Sequence, residues 1–211
     1  MDNNLTNNVQ HISCIDFLQS QHNKIFDHVL TDIPYDVVSR ESAGIRVFDK
    51  FQADELSFDI DLFCDKLAVV TKGNILIFCS SEQVSLLHEK FSKLGYNTYL
   101  GIWEKTNPSP VNGQHFWLSG VECCVIASHQ QLNDNDLVWR FPSGRSKEHP
   151  TEKPLKLMEF LVDKFSNEND LIFDPCAGSG AHLLASKNKN RKYFGTELFE
   201  QYFNLIKSKG L

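Results

Sequence analysis

Long apolar runs are missing from this 211-residue chain, and no stretch approaches the ~18 residues that a membrane-spanning helix needs. The polar opening MDNNLTNNVQ does not have the pattern of a signal peptide, so a cytoplasmic location is expected. Cysteine is present but unpatterned. Its six positions (14, 64, 79, 123, 124 and 176) contain no C-x-x-C, which argues against a zinc site or a disulfide framework. Most lie in apolar stretches and read as core thiols in a reducing cytosol. His115, His129 and His149 share no metal-ligand spacing, and no metal is expected. An excess of basic residues is also lacking. The net charge of −6 argues weakly against a nucleic-acid partner, but residues 1–65 carry 12 acids and 4 bases (−8) while residues 66–211 carry 15 acids and 17 bases (+2). Local patches decide binding more than the total does.

What is there is an alternation of strands and helices. At 211 residues one domain is expected, burying about 70% of its unfolded surface. Strands are predicted near 9–14, 27–31, 74–80, 96–104, 120–127, 170–174 and 192–196. Helices are predicted near 15–21, 56–71, 81–94, 154–166, 179–188 and 198–209. NILIFCS and DLIFDPC are short apolar runs without strict alternation, as in strands covered on both faces. Leu157, Phe160, Leu161 and Phe165 recur at helical spacing. The pattern predicts an α/β fold, a mostly parallel twisted sheet with helices on both faces. YNTYLGIW and GVECCVIAS have no clear helix between them and are expected to form an antiparallel edge hairpin. Residues 36–53, 105–119 and 128–152 read as long loops, which in a compact domain are usually functional or mobile.

Residues 170–198, DLIFDPCAGSGAHLLASKNKNRKYFGTEL, read as strand, glycine turn, helix, strand and acid. Gly178 and Gly180 allow a tight turn and close approach of a ligand to the backbone. Glu197 ends the next strand, where a carboxylate can bind ribose hydroxyls. Leu183 stands where a third glycine of G-x-G-x-x-G would be, so nucleoside binding without pyrophosphate fits better than a dinucleotide. Earlier in the chain, HVLTDIPYDVV ends a strand on Asp32, followed by Ile33, Pro34 and Tyr35.

In order, DHVLTDIPY, GIWEKTNP, HPTEKPLKLMEFLV and FDPCAGSGAHLLA resemble the S-adenosylmethionine-dependent DNA amino-methyltransferases, with the catalytic motif before the cofactor motif as in the beta class. The resemblance covers almost the whole chain and implies a Rossmann-like methyltransferase fold. It also implies double-stranded DNA as substrate and S-adenosyl-L-methionine as cofactor. TDIPY is similar to the family's D-P-P-Y, with Ile33 for the first proline; Asp rather than Ser at position 32 favours adenine. An exocyclic aromatic amine is a poor nucleophile because its lone pair is delocalised into the ring. Asp32 and the backbone carbonyl of Ile33 would accept its N–H groups and favour a tetrahedral nitrogen. That carbonyl exists whatever residue 33 is, and Pro34 still restrains the turn. Tyr35 would stack on a base extruded from the duplex.

For the cofactor the resemblance implies Asp32, Thr151, Lys153, Phe173, Asp174, Cys176, Gly178, Gly180 and Glu197, with Asp174 near the methionyl amino group and Thr151 and Lys153 beside the methionine. Phe173 is equally well read as a core ring, and Lys153 as a solvated loop residue. Ile12 and Ser13 replace the family's Gly-Asp, and Ala181-His182 its Thr-Thr. RNA or protein-glutamine methylation would use the same amine chemistry, and a catalytically silent subunit would keep the same fold. The loops 105–119 and 128–152 form a reduced target-recognition region, roughly 40 residues without a core of their own. Arg140, Arg145 and Lys147 are expected to contact DNA phosphates there, with a homodimer or second subunit completing the grip. Trp103 and Trp117 read as packing residues.

Overall fold

The computed structural model describes residues 5–35, 56–108, 120–130, 136–144 and 152–211. Thr151, Arg145, Lys147, His115, His149 and Trp117 lie outside the described residues. In chain order the elements are β1 (Asn8–His11), α1 (Cys14–Gln19), β2 (His28–Asp32), α2 (Ile60–Val70), β3 (Ile75–Cys79), α3 (Val84–Lys93) and β4 (Asn97–Lys105). They continue with β5 (Val121–Ser128), β6 (Val138–Phe141), α4 (Leu155–Phe165), β7 (Leu171–Asp174), α5 (Ala181–Asn188), β8 (Lys192–Glu197) and α6 (Glu200–Ser208).

The strands form one sheet in the order β1-β8-β7-β2-β3-β5-β4-β6. Every neighbouring pair is parallel except the two that involve β5, so β5 alone runs against the rest. The antiparallel β4–β5 pair is as expected, but it is not the edge. A four-residue strand, β6, pairs parallel to β4 and covers it, joining Ile102 to Val138 and Lys105 to Phe141. Part of the expected loop 128–152 is therefore sheet. β6 escapes a sequence reading because VWRF is short and only Trp139 is buried in it.

The unalternating runs are the central strands. All five residues of β3 and all four of β7 are buried, as strands with helices on both faces must be. Successive side chains feed opposite faces. Ile75, Ile77 and Cys79 join Phe17, Phe63, Leu67 and Phe91 in one apolar cluster, while Leu76 and Phe78 join Leu157, Leu161 and Phe165 in another. Helix α2 starts at its cap, where the Asp59 carboxylate accepts from the Leu62 N–H at 3.0 Å.

One feature of the topology positions the site. The chain leaves β2 for β3 on one side and leaves β7 for β8 on the other, yet β2 and β7 are neighbours. Their carboxyl ends form the switch-point crevice where ligands bind in open α/β sheets. Asp32 ends β2 and Asp174 ends β7.

Candidate active site

Two chain segments far apart in sequence meet at this crevice. The Thr31 hydroxyl donates to Asp174 Oδ1 at 2.7 Å, tying β2 to β7 at their ends. Asp174 is fully buried; its Oδ1 also accepts from the Cys176 N–H at 3.1 Å, and its Oδ2 lies 2.8 Å from His182 Nδ1. With these partners Asp174 holds the turn after β7 in shape. The other nitrogen of His182, Nε2, is buried without a partner among the described residues.

The glycine turn needs left-handed backbone at Gly178 (φ 50°) and Gly180 (φ 78°), a region costly for residues with a Cβ. Glu197 at the end of β8 closes the turn: its Oε2 accepts from the Gly178 N–H at 2.7 Å and its Oε1 from the Phe199 N–H at 2.8 Å. Burial raises the Glu197 pKa above the usual carboxylate range despite these bonds. The segment before α4 is pinned to the same turn, because Lys209 bonds both Glu152 (3.0 Å) and the Ser179 carbonyl (2.8 Å).

Asp32 faces a cluster that sequence reading placed only in part. Lys153 is no solvated loop residue; it is 4% exposed. It directly precedes Pro154, which disfavours helix at the residue before it and starts α4 just after. From there its ammonium reaches Asp32 Oδ2, the Tyr35 hydroxyl at 3.0 Å and Glu122 Oε2 at 3.1 Å. The Tyr35 hydroxyl in turn donates to Glu122 Oε2 at 2.9 Å, and Lys105 bonds Glu122 Oε1 at 2.7 Å. Burial pushes the Asp32 pKa up and Lys153 only partly offsets it. Burial also raises Glu122, but Lys153 and Lys105 outweigh it and leave the carboxyl at about 2. For Lys153 burial disfavours the ammonium, yet Asp32 and Glu122 raise its pKa above the ordinary lysine value. Burial and both carboxylates push the Tyr35 phenol well up.

The second oxygen of Asp32, Oδ1, is buried and has no hydrogen-bond partner among the described residues. The turn after it is held on both sides. Gln83 donates to the Pro34 carbonyl at 2.9 Å while its own carbonyl accepts from the Ser80 N–H at 2.9 Å. Ile33 is 1% exposed in the core, and its N–H donates to the Phe78 carbonyl at 3.2 Å. A proline there would have no N–H, so isoleucine trades ring rigidity for one more bond between β2 and β3.

The structure chooses between the two readings of Phe173 and of Lys153, and it moves Arg140. Phe173 has no exposed surface and stacks on Phe26 with centroids 4.3 Å apart, so it is the core ring of the two readings given for it. Arg140 lies on β6 rather than in a loop, and its exposed guanidinium pairs with Glu104 at 2.9 Å. Lys153, as described above, is a buried member of the site and not a solvated one. Trp103 is a packing residue, as read, with Nε1 donating to the Phe141 carbonyl at 2.9 Å. Glu122, Lys105 and Gln83 were not anticipated. The available signal was the lone acid in GVECCVIAS, a charge inside an otherwise apolar strand.

Residues 127–208 match a family profile described as a DNA methylase of the N6/N4 methyltransferase type. The chain is 29% identical over 202 residues to YubD of Escherichia coli (strain K12), spanning 90% of this chain and 83% of that one. It is 24% identical over 240 residues to the type II methyltransferase M2.MboI of Moraxella bovis, spanning 96% and 86%. Among solved structures, the M1.HpyAVI–SAM complex superposes with a TM-score of 0.71 at 26% identity, covering 95% of this chain and 98% of the other.

Proposed function

The chain belongs to the S-adenosylmethionine-dependent DNA amino-methyltransferases, and on that premise we propose that it methylates the exocyclic amino group of adenine in DNA. One observation carries the reading: Asp32 Oδ1 is a buried acceptor with no partner among the described residues, at the end of β2 next to the Ile33–Pro34–Tyr35 turn. A buried acceptor left without a donor is costly, which favours a site completed by a ligand N–H.

The residues present fit the cofactor. His182 Nε2 is a second buried polar atom without a partner among the described residues, and the left-handed glycines with Glu197 shape the turn at the end of β7. Gly178, Gly180, Cys176, Glu197 and Asp174, with Thr151, would hold the cofactor. When bound, it supplies a methyl group on a positively charged sulfur, open to attack from the side opposite that sulfur.

The protein's own part is to sharpen the nucleophile. Asp32 Oδ1 and the Ile33 carbonyl accept the two N–H groups of the target amine, which draws its lone pair out of the ring and towards the methyl carbon. Lys153 partly offsets the burial that disfavours the Asp32 carboxylate. Tyr35, its hydroxyl fixed by Lys153 and Glu122, offers its ring to a base turned out of the stack. The proton released as the nitrogen becomes a secondary amine passes to Asp32 or to solvent.

The loops 105–119 and 128–152 serve as the target-recognition region, with β6 as its described framework. Each good bidentate base contact contributes about 1–3 kcal/mol of discrimination, so a region this small carries few of them. A short target and a second subunit or homodimer follow, in a cytoplasmic protein. Among the described residues no helix is long and apolar enough to cross a membrane. The test is tritium transfer from labelled cofactor into DNA. Label is expected in adenine and absent with Asp32→Ala; label in cytosine alone would overturn the adenine assignment.

A further inference from the structure

Lys153 is a three-donor group with all three donors committed, to Asp32, Glu122 and the Tyr35 hydroxyl. That arrangement raises a problem for catalysis. A buried ammonium paired with one carboxylate in a dry site withdraws charge from it, and Asp32 must remain a strong acceptor at Oδ1. Glu122 lies on the reversed strand β5, opposite Trp103 of β4, and reaches the same ammonium from the other side. It is itself held by Lys105. Two carboxylates and two ammonium groups therefore alternate in a row, Asp32–Lys153–Glu122–Lys105.

We propose that Glu122 is a positioning residue for methyl transfer: by sharing the Lys153 ammonium with Asp32, it leaves Asp32 ionised yet strong enough to accept the N–H of the reacting amine. The same carboxylate accepts from the Tyr35 hydroxyl, so it also sets the ring against which the base is held. Glu122 does not touch the reacting atoms; it acts through Lys153 and Tyr35. The reading rests on the proposed role of Asp32 in amine methylation.

The groups facing Asp32 come from every element around it. Among the described residues Lys153 and Glu122 dominate, with a smaller contribution from His182 of α5. The thiols of Cys79 and Cys124 lie close by, on β3 and β5, and burial keeps both protonated. Against this background the signs are opposite for the two outer members of the row. Glu122→Gln keeps the shape and an acceptor for Tyr35 but removes a negative charge, so Lys153 bears on Asp32 alone and the Asp32 pKa falls. Lys105→Met removes the cation that competes for Glu122, so Glu122 draws harder on Lys153 and the Asp32 pKa rises.

The experiment measures the pH profile of kcat for single-turnover transfer to adenine-containing duplex DNA, with wild type, Glu122→Gln and Lys105→Met. Carbon-13 NMR of labelled aspartate carboxylates follows Asp32 directly in the same proteins without cofactor. The acid limb is expected to move down by about one pH unit in Glu122→Gln, with lower kcat, and up in Lys105→Met. Cofactor affinity by calorimetry should be unchanged in both. A purely structural role would lower the folded fraction without moving either limb. The proposal is overturned if the limbs stay in place, or if both variants move the Asp32 titration in the same direction. If one variant does not fold, the sign seen in the other still decides. Failure of the wild type to methylate adenine would refute the function instead, and the NMR titrations would then judge the network alone.

Discussion

Replacing Lys153 with methionine probes the centre of the site most directly. Methionine keeps much of the lysine stem, so packing changes little while the ammonium is lost. Asp32 and Glu122 then lose the ammonium they share, Lys105 still pairs with Glu122, and Tyr35 loses a donor. The side chains are 4% exposed for Lys153, 21% for Asp32 and 18% for Glu122, so values for buried pairs apply. Breaking such a pair by removing one partner costs about 3–5 kcal/mol. For a chain of this size that corresponds to a fall in Tm of roughly 6–20 °C, at 2–4 °C per kcal/mol. The pH dependence gives a second reading. Without Lys153 the Asp32 pKa rises further above its unfolded value and Glu122 loses one of the two cations that lower its own, so the folded variant binds more protons than the folded wild type and recovers stability relative to it as pH falls. The deficit against wild type, measured by urea unfolding, should therefore be largest at pH 8 and shrink towards pH 5. A deficit below about 1 kcal/mol at neutral pH, the size of an exposed pair, would refute the reasoning. So would a deficit that does not change with pH.

The glycine turn and the basic residues Arg140, Arg145 and Lys147 offer independent tests. Gly180→Ala places a Cβ at φ +78°, 3.1 Å from Ile206 Cγ1, and should cost about 1–2 kcal/mol in chemical unfolding while weakening cofactor binding by calorimetry. Unchanged stability and affinity would show that the turn tolerates a side chain there. Replacing Arg140, Arg145 and Lys147 together with alanine should weaken DNA binding and lower the salt dependence, by a slope of about 0.9 for each phosphate no longer neutralised, with cofactor affinity unchanged. Fluorescence anisotropy across a salt series reads this, and normal binding at every salt concentration would remove this segment from the DNA interface.

The central sheet was legible because burial on both faces leaves an unmistakable trace: ILIFC and LIFD have no polar position to alternate with. The ends of β2 and β7 were legible for a related reason, since an acid at the end of such a run marks where the apolar strand stops. The lateral partners of those acids were not. Nothing in the spacing of Asp32 and Glu122, on strands separated by β3, says that one ammonium will sit between them. Lys153 looked like a loop residue because its neighbours Glu152 and Pro154 are polar or turn-forming, whereas its burial depends on the direction in which the chain enters α4. Edge strand β6 was hidden by its length and by Arg140, whose partner Glu104 is supplied by β4. Phe173 could be read either way until Phe17, Phe26 and Phe194 were seen around it.

The hydroxyl bond from Thr31 to Asp174 joins residues 143 positions apart, and it crosses sideways between adjacent strands. The chain segment between them takes no part in the join. For this one bond, the segment need only return β7 to the flank of β2, and closure entropy changes slowly with the length of such a path, by about 0.6 kcal/mol per doubling. The Asp32 end and the glycine-turn end of the crevice are thus two halves clasped along a seam, indifferent to which is made first. The same clasp would survive if the two segments were exchanged in chain order, or carried on separate polypeptides that still paired β2 with β7.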